Sequence, residues 1–144
     1  MNTVDIPLLL QRALKAGGLN GVAAKSVRKM PHLEEPLICV GDSLVSWIPG
    51  PIGNFLGWSA EETPVYGRCL EATGFLDVYT PYHLGADAAD QLVCKAVDAL
   101  WNFLGTLTKE RISVDEAHYD PNSDCFRCRI TVKVRALMYT NEVT

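Results

Sequence analysis

The sequence predicts an α+β domain: a mostly antiparallel sheet with two main helices packed on one of its faces. Three observations carry that expectation. Residues 4–16 and 86–104 place apolar side chains at helical spacing. Residues 126–139 alternate apolar and polar with a period of two, the mark of a strand with one face on a core and one exposed. The element order helix, strand, strand, helix, strand, strand (α-β-β-α-β-β) suits helices gathered on one side of an antiparallel or mixed sheet.

Each element has its own justification. In 4–16 the apolar stripe is Ile6, Leu9, Leu10, Ala13 and Leu14; Pro7 is tolerated in a first turn, and Gly17-Gly18 stops the helix. Residues 19–31 read either as an irregular crossing segment or as a short amphipathic turn. Residues 37–48 read as a strand pair or one long strand, with Ile38, Val40, Val45 and Trp47 as β-forming residues and Gly41-Asp42 as a bend. The glycines and prolines of 49–58 argue against a regular element there, although the segment is strongly apolar. Strand character resumes over 65–79, interrupted at Gly74, and Pro81 ends it.

The second helix, 86–104, carries the widest apolar stripe, with Ala89, Leu92, Val93, Ala96, Val97, Leu100, Phe103 and Leu104 on it. Asp87 and Asp90 suit the positive end of its dipole. A short strand over 112–117 and a turn over 119–124 lead into the last strand. There Phe126, Cys128, Ile130, Val132 and Val134 take one face, and Arg127, Arg129, Thr131, Lys133 and Arg135 the other.

Composition narrows the class. The 144 residues, 48% hydrophobic and 21% charged, suit one domain over 1–144 with a core of its own. A net charge of −4 gives no general attraction to nucleic acid or to an anionic membrane. No run approaches the roughly 18 apolar residues of a membrane span. Five cysteines, an odd number without repeating spacing, and a start lacking signal-peptide character point to reduced thiols in a cytosol.

Several motifs invite a chemical reading. Residues 37–44, ending Gly41-Asp42-Ser43-Leu44, resemble the first block of GDSL-type hydrolases, and Asp115 and His118 have the Asp-x-x-His spacing of that family's base. A small serine esterase using Ser43, Asp115 and His118 is therefore the alternative function. Against it, the 72 residues from Ser43 to Asp115 hold too few βαβ units, no Gly-x-Asn-Asp block occurs, and a strand rather than a helix follows His118. Asp115-Glu116-Ala117-His118 spells a helicase box, but no Gly-Lys dipeptide exists for a phosphate loop. Cys125 and Cys128, three apart on a strand, point to opposite faces and do not complete a zinc site. No catalytic, cofactor-binding or metal-binding residues are expected, and no cofactor.

Two surfaces remain. The basic strand face Arg127, Arg129, Lys133 and Arg135 reads as a solvated face, or as one meeting phosphates or an acidic neighbour. Trp47, Ile48, Ile52, Phe55, Leu56 and Trp58 concentrate large apolar side chains in twelve residues of glycine- and proline-rich chain. They read as an arm buried against another copy, or as a loop folded onto its own core.

The layout resembles the tail terminators, the small tail-completion proteins of phages and prophages. The first helix ending at Gly17-Gly18, two strands joined by a long loop over 49–64, a long helix and a closing hairpin carry the likeness. The run Asp77-Val78-Tyr79-Thr80-Pro81-Tyr82 and the passage from Tyr119-Asp120 to Cys125-Phe126 add to it. The resemblance implies a structural subunit rather than an enzyme. It would form a homo-oligomeric ring, commonly a hexamer, and cap the tail tube at the head–tail joint beside tail tube and head-connector proteins. It implies no membrane contact, and DNA contact at most non-specific in a lumen. The expected places are the bacterial host cytoplasm during assembly and the virion tail afterwards.

Overall fold

The computed structural model describes residues 5–23, 33–49, 55–58, 60–62, 64–104 and 107–140. Helix α1 (Ile6–Ala16) begins at Asp5, whose carboxylate accepts the Leu8 N–H at 3.1 Å. Pro7 sits in the first turn, where its missing N–H costs nothing. At the far end Gly17 and Leu19 return their N–H groups to Ala13 and Leu14, with Gly18 at φ +83 turning the chain out of the helix.

The strands follow: β1 (Gly21–Ala23), β2 (Leu37–Val40), β3 (Leu44–Pro49), β4 (Phe55–Trp58) and β5 (Pro64–Pro81). A single 3-10 turn (Tyr82–Leu84) leads to α2 (Ala86–Phe103), then β6 (Thr108–Val114), β7 (His118–Asp120) and β8 (Cys125–Thr140). Among the described residues all eight strands form one sheet along the path β1-β2-β5-β8-β6; β3 and β4 also pair with β5, and β7 with β8. Every pairing is antiparallel except β1 with β2. The fold is α+β, with both helices on one sheet face.

The axis of the molecule is the ribbon of β5 and β8, paired without a break from Tyr66 opposite Thr140 to Pro81 opposite Cys125. Its helix-facing side contributes Ala72, Leu76 and Val78 from β5 and Cys128, Ile130, Val132 and Val134 from β8. Ile6, Leu10 and Leu14 of α1 and Val93, Ala96 and Leu100 of α2 close over them. Each of the leucines, isoleucines and valines among them stabilises the fold by about 1.5–3 kcal/mol through burial. From Cys128 to Val134 the even positions of β8 are thus the buried ones, as the alternation predicts.

The 18 residues of β5 span about 60 Å at strand rise. A compact globule of this chain length is only about 40 Å across. The helical layer therefore cannot cover the whole ribbon. Among the described side chains, β5 contributes Ala72, Leu76 and Val78 to the cluster under α1 and α2.

Several expectations need correction. Residues 49–58, read as irregular, contain β4, and β3 runs on to Pro49. Proline and glycine are tolerated because these are edge strands bonded on one side only. Gly74 does not interrupt β5. A Cβ there would lie 2.6 Å from Leu10 Cδ1 and 3.3 Å from Ile6 Cγ2, so the glycine admits α1 onto the sheet. Within 19–31, Gly21–Ala23 is a strand and residues 24–32 lie outside the described residues. Strand β6 starts at Thr108 and stops at Val114, displaced from the expected 112–117. It is a partly exposed outer strand, so its polar residues conceal the pattern. Part of the expected turn at 119–124 is β7; the turn proper follows it, with Asp120 accepting from the Asn122 N–H at 3.2 Å and the Ser123 hydroxyl at 2.9 Å.

Candidate functional site

The sheet face opposite the helices carries the basic stripe, and the register explains its surroundings. Antiparallel pairing sets Arg129 opposite Asp77, and Arg135 opposite Glu71. Arg129 grips Asp77 with two N–H groups, Nε at 3.0 Å and Nη2 at 3.2 Å, and Arg127 reaches the same carboxylate at 3.2 Å. Arg135 donates to Glu71 and, through Nε at 2.9 Å, meets Glu110 from β6; Lys133 lies 3.7 Å from Glu110. The guanidiniums of Arg127 and Arg129 also lie over the Tyr79 and Phe75 rings, at 5.7 and 5.6 Å.

This arrangement alters what the stripe can do. Four cations share three carboxylates, Asp77, Glu71 and Glu110, so the face is a charge ladder with little surplus. Hydrogen bonding to Asp77 holds the Arg129 pKa above its ordinary value, and bonding to Glu71 does the same for Arg135. The basic residues are partly exposed, so side-chain entropy and solvent screening leave each pair a small contribution to stability. The ladder fixes strand register more than it attracts phosphates.

Two shallow hollows flank Arg129. One, about 270 Å³, holds Ser43 at the bend between β2 and β3, beside Phe75 and Asp77. The other, about 280 Å³, is lined by Asp115, His118, Arg127 and Arg129. Ser43 and His118 belong to opposite margins of the sheet, with β5 and β8 between them. Three strand spacings put them at least about 14 Å apart, and the register displaces them further along the strands. Hydrogen-bond reach is about 3 Å, so the three residues of the esterase alternative do not meet in one hollow.

The two cysteines of the Cys-x-x-Cys run take opposite faces. Cys128 belongs to the helix-covered core, while Cys125 packs with Cys39 and Tyr79 in a second cluster on the other side. Burial pushes all three thiols above their ordinary pKa, which keeps them protonated and unreactive. Among the described residues no group of His, Cys, Asp and Glu side chains is placed to hold a metal ion. Nor is any described helix long and apolar enough to cross a membrane.

The apolar arm resolves into sheet edge. Trp47 and Ile48 lie in β3, opposite Leu70 and Cys69 of β5. Phe55, Leu56 and Trp58 lie in β4, which pairs with residues 64–66 of β5; Ile52 lies outside the described residues. Among the described residues neither β3 nor β4 has a strand on its other side. Residues 43–60 contain no Asp, Glu, Lys or Arg, so this edge carries no backbone charge guard at all. That long uncharged run was visible in the sequence and is the signal that marks the edge. The acidic partners of the stripe had no such signal, since they come from β5 and β6.

No protein-family model matches the chain, and no curated protein sequence matches it either.

Proposed function

We propose that this chain is a structural subunit of a phage or prophage tail, a tail-completion protein whose copies form a ring capping the tail tube at the head–tail joint. The observation that supports this reading most directly is the open, uncharged edge of β3 and β4, carried on a strand too long for the helices to cover. An unguarded edge of this kind is a template for another chain, and a protein that assembles side by side needs one. A capping ring works through contact surfaces and requires no reacting groups.

In this role the partners are further copies of itself, then tail tube and head-connector proteins. It acts in the cytoplasm of the bacterial host during assembly and stays in the virion tail. The paired state of Arg127, Arg129, Lys133 and Arg135 limits any DNA contact to weak, non-specific attraction.

Light scattering coupled to size exclusion tests the reading. At tens of micromolar the purified protein should elute as one closed oligomer; a monomer alone would overturn the proposal. Deleting the gene in its source genome should leave tails unjoined to heads under the electron microscope, and intact particles would equally count against it.

A further inference from the structure

The end of the ribbon that pairs residues 66–70 with 136–140 is open on both flanks among the described residues. On one flank β3, followed by β4, pairs with β5 and with no other strand. On the other, β6 accompanies β8 only as far as Arg135, so residues 136–140 pair with β5 alone. The two flanks lie at the same height: residues 136–140 oppose 66–70 of β5, and β3 with β4 covers 64–66 and 68–73 from the other side.

Both flanks lack the charged side chains that commonly guard an edge strand. Residues 43–60 and 136–140 are uncharged. Leu44 and Val45, neighbours that point to opposite faces of β3, are 67% and 43% exposed, so the start of this edge is bare on both sides. Pro49 stands at the end of β3, a position that an edge strand permits and an interior one does not.

We infer that the β8 flank at residues 136–140 of one copy pairs with the β3–β4 flank of the next, a head-to-tail continuation of the sheet. The inference rests on the ring reading above and names the surfaces that make the ring. A second copy is the occupant because the chain itself presents both halves of the joint, level with each other and matched in apolar character. A contact between two β3 flanks would stop at a dimer and leave every β8 flank bare. A head-to-tail contact repeats, and closes into a ring when the rotation per copy divides a full turn. Strands β3 and β8 are both antiparallel to β5, so they run the same way. Copies related by an axis along the strands therefore join through a parallel pair.

Single prolines test this, because a proline removes one backbone donor. Successive N–H groups of a strand point to alternate sides. Of Ser46→Pro and Trp47→Pro, one removes an open-side donor of β3 and spares the bond to β5; Leu137→Pro and Met138→Pro do the same for β8. In each pair the variant keeping the wild-type circular dichroism and melting curve is used.

Each chosen variant alone should run as a monomer in light scattering. Mixed in equal amounts, the two should form a one-to-one heterodimer, since each retains the flank the other has lost. A wild-type ring that both variants still assemble would overturn the inference and leave the ring reading standing. Two monomers whose mixture stays monomeric would overturn the head-to-tail pairing. A wild-type protein that never assembles would sink both.

Discussion

Gly17 shows how closely the two helices meet. A Cβ at this position would lie 2.5 Å from the Ala99 Cβ and 3.3 Å from its Cα, and backbone cannot swing aside as a long side chain can. We expect Gly17→Ala to destabilise the protein by about 1–3 kcal/mol in urea denaturation, the usual cost of overpacking. Gly17→Ala combined with Ala99→Gly should recover part of that loss, by reopening the same space. Failure of the double variant to gain anything would locate the strain elsewhere. The buried thiols make a second prediction. Cys39, Cys125 and Cys128 have folded pKa values raised by burial, so above the unfolded thiol pKa the native state holds more protons than the unfolded chain. Their contribution is complete below about pH 8.5 and declines as pH rises through the folded values. Tyr79, raised mainly by burial, acts in the same direction at higher pH. The urea midpoint should therefore hold from pH 7 to 8 and fall beyond it. Replacing the three cysteines with alanine should remove the earlier part of that fall.

Among the elements, legibility followed burial. The last strand could be read because Cys128, Ile130, Val132 and Val134 face one core while their neighbours face water. The stripe of α2 was plain for the same reason, and α1 announced its far end through Gly17-Gly18. Of the edge strands, β3 was readable through Val45 and Trp47 up to its Pro49 end, whereas β4 was not, since it is short, bonded on one side and set among prolines and glycines. Gly74 misled because a glycine that makes room for Leu10 looks, in one dimension, like a glycine that breaks a strand. The candidate site divides along the same line. Its apolar residues and its basic stripe were both visible, because each is local in sequence. The neutralisation of the stripe was not, since Glu71 and Arg135 lie 135 − 71 = 64 residues apart and only the register joins them. Ser43 and His118 are the converse case: two local motif matches that belong to opposite margins of the sheet.

The whole molecule offers two faces of different electrical character, and salt separates them. If copies meet through the uncharged flanks, raising sodium chloride from 0.1 to 1 M should leave the dissociation constant of the assembly within a few-fold, because no ion pair is screened. If instead the ladder of Arg127, Arg129, Lys133 and Arg135 made the contact, the shorter Debye length, about 3 Å against 10 Å, should weaken it by tenfold or more. Sedimentation velocity at the two salt concentrations distinguishes these outcomes.

The uninterrupted pairing of β5 with β8 also governs how the chain reaches its native state. Its rungs join residues separated by 125 − 81 = 44 positions at one end and 140 − 66 = 74 at the other. Loop-closure entropy must be met before any of these contacts forms, which places folding on the millisecond-to-second scale typical of non-local sheets. Until β8 arrives, β5 is a naked strand of 18 residues on the side it will later share. The newly made protein is thus most prone to mispairing in the interval after α2 has emerged and before its last sixteen-residue strand has been synthesised and zipped into place.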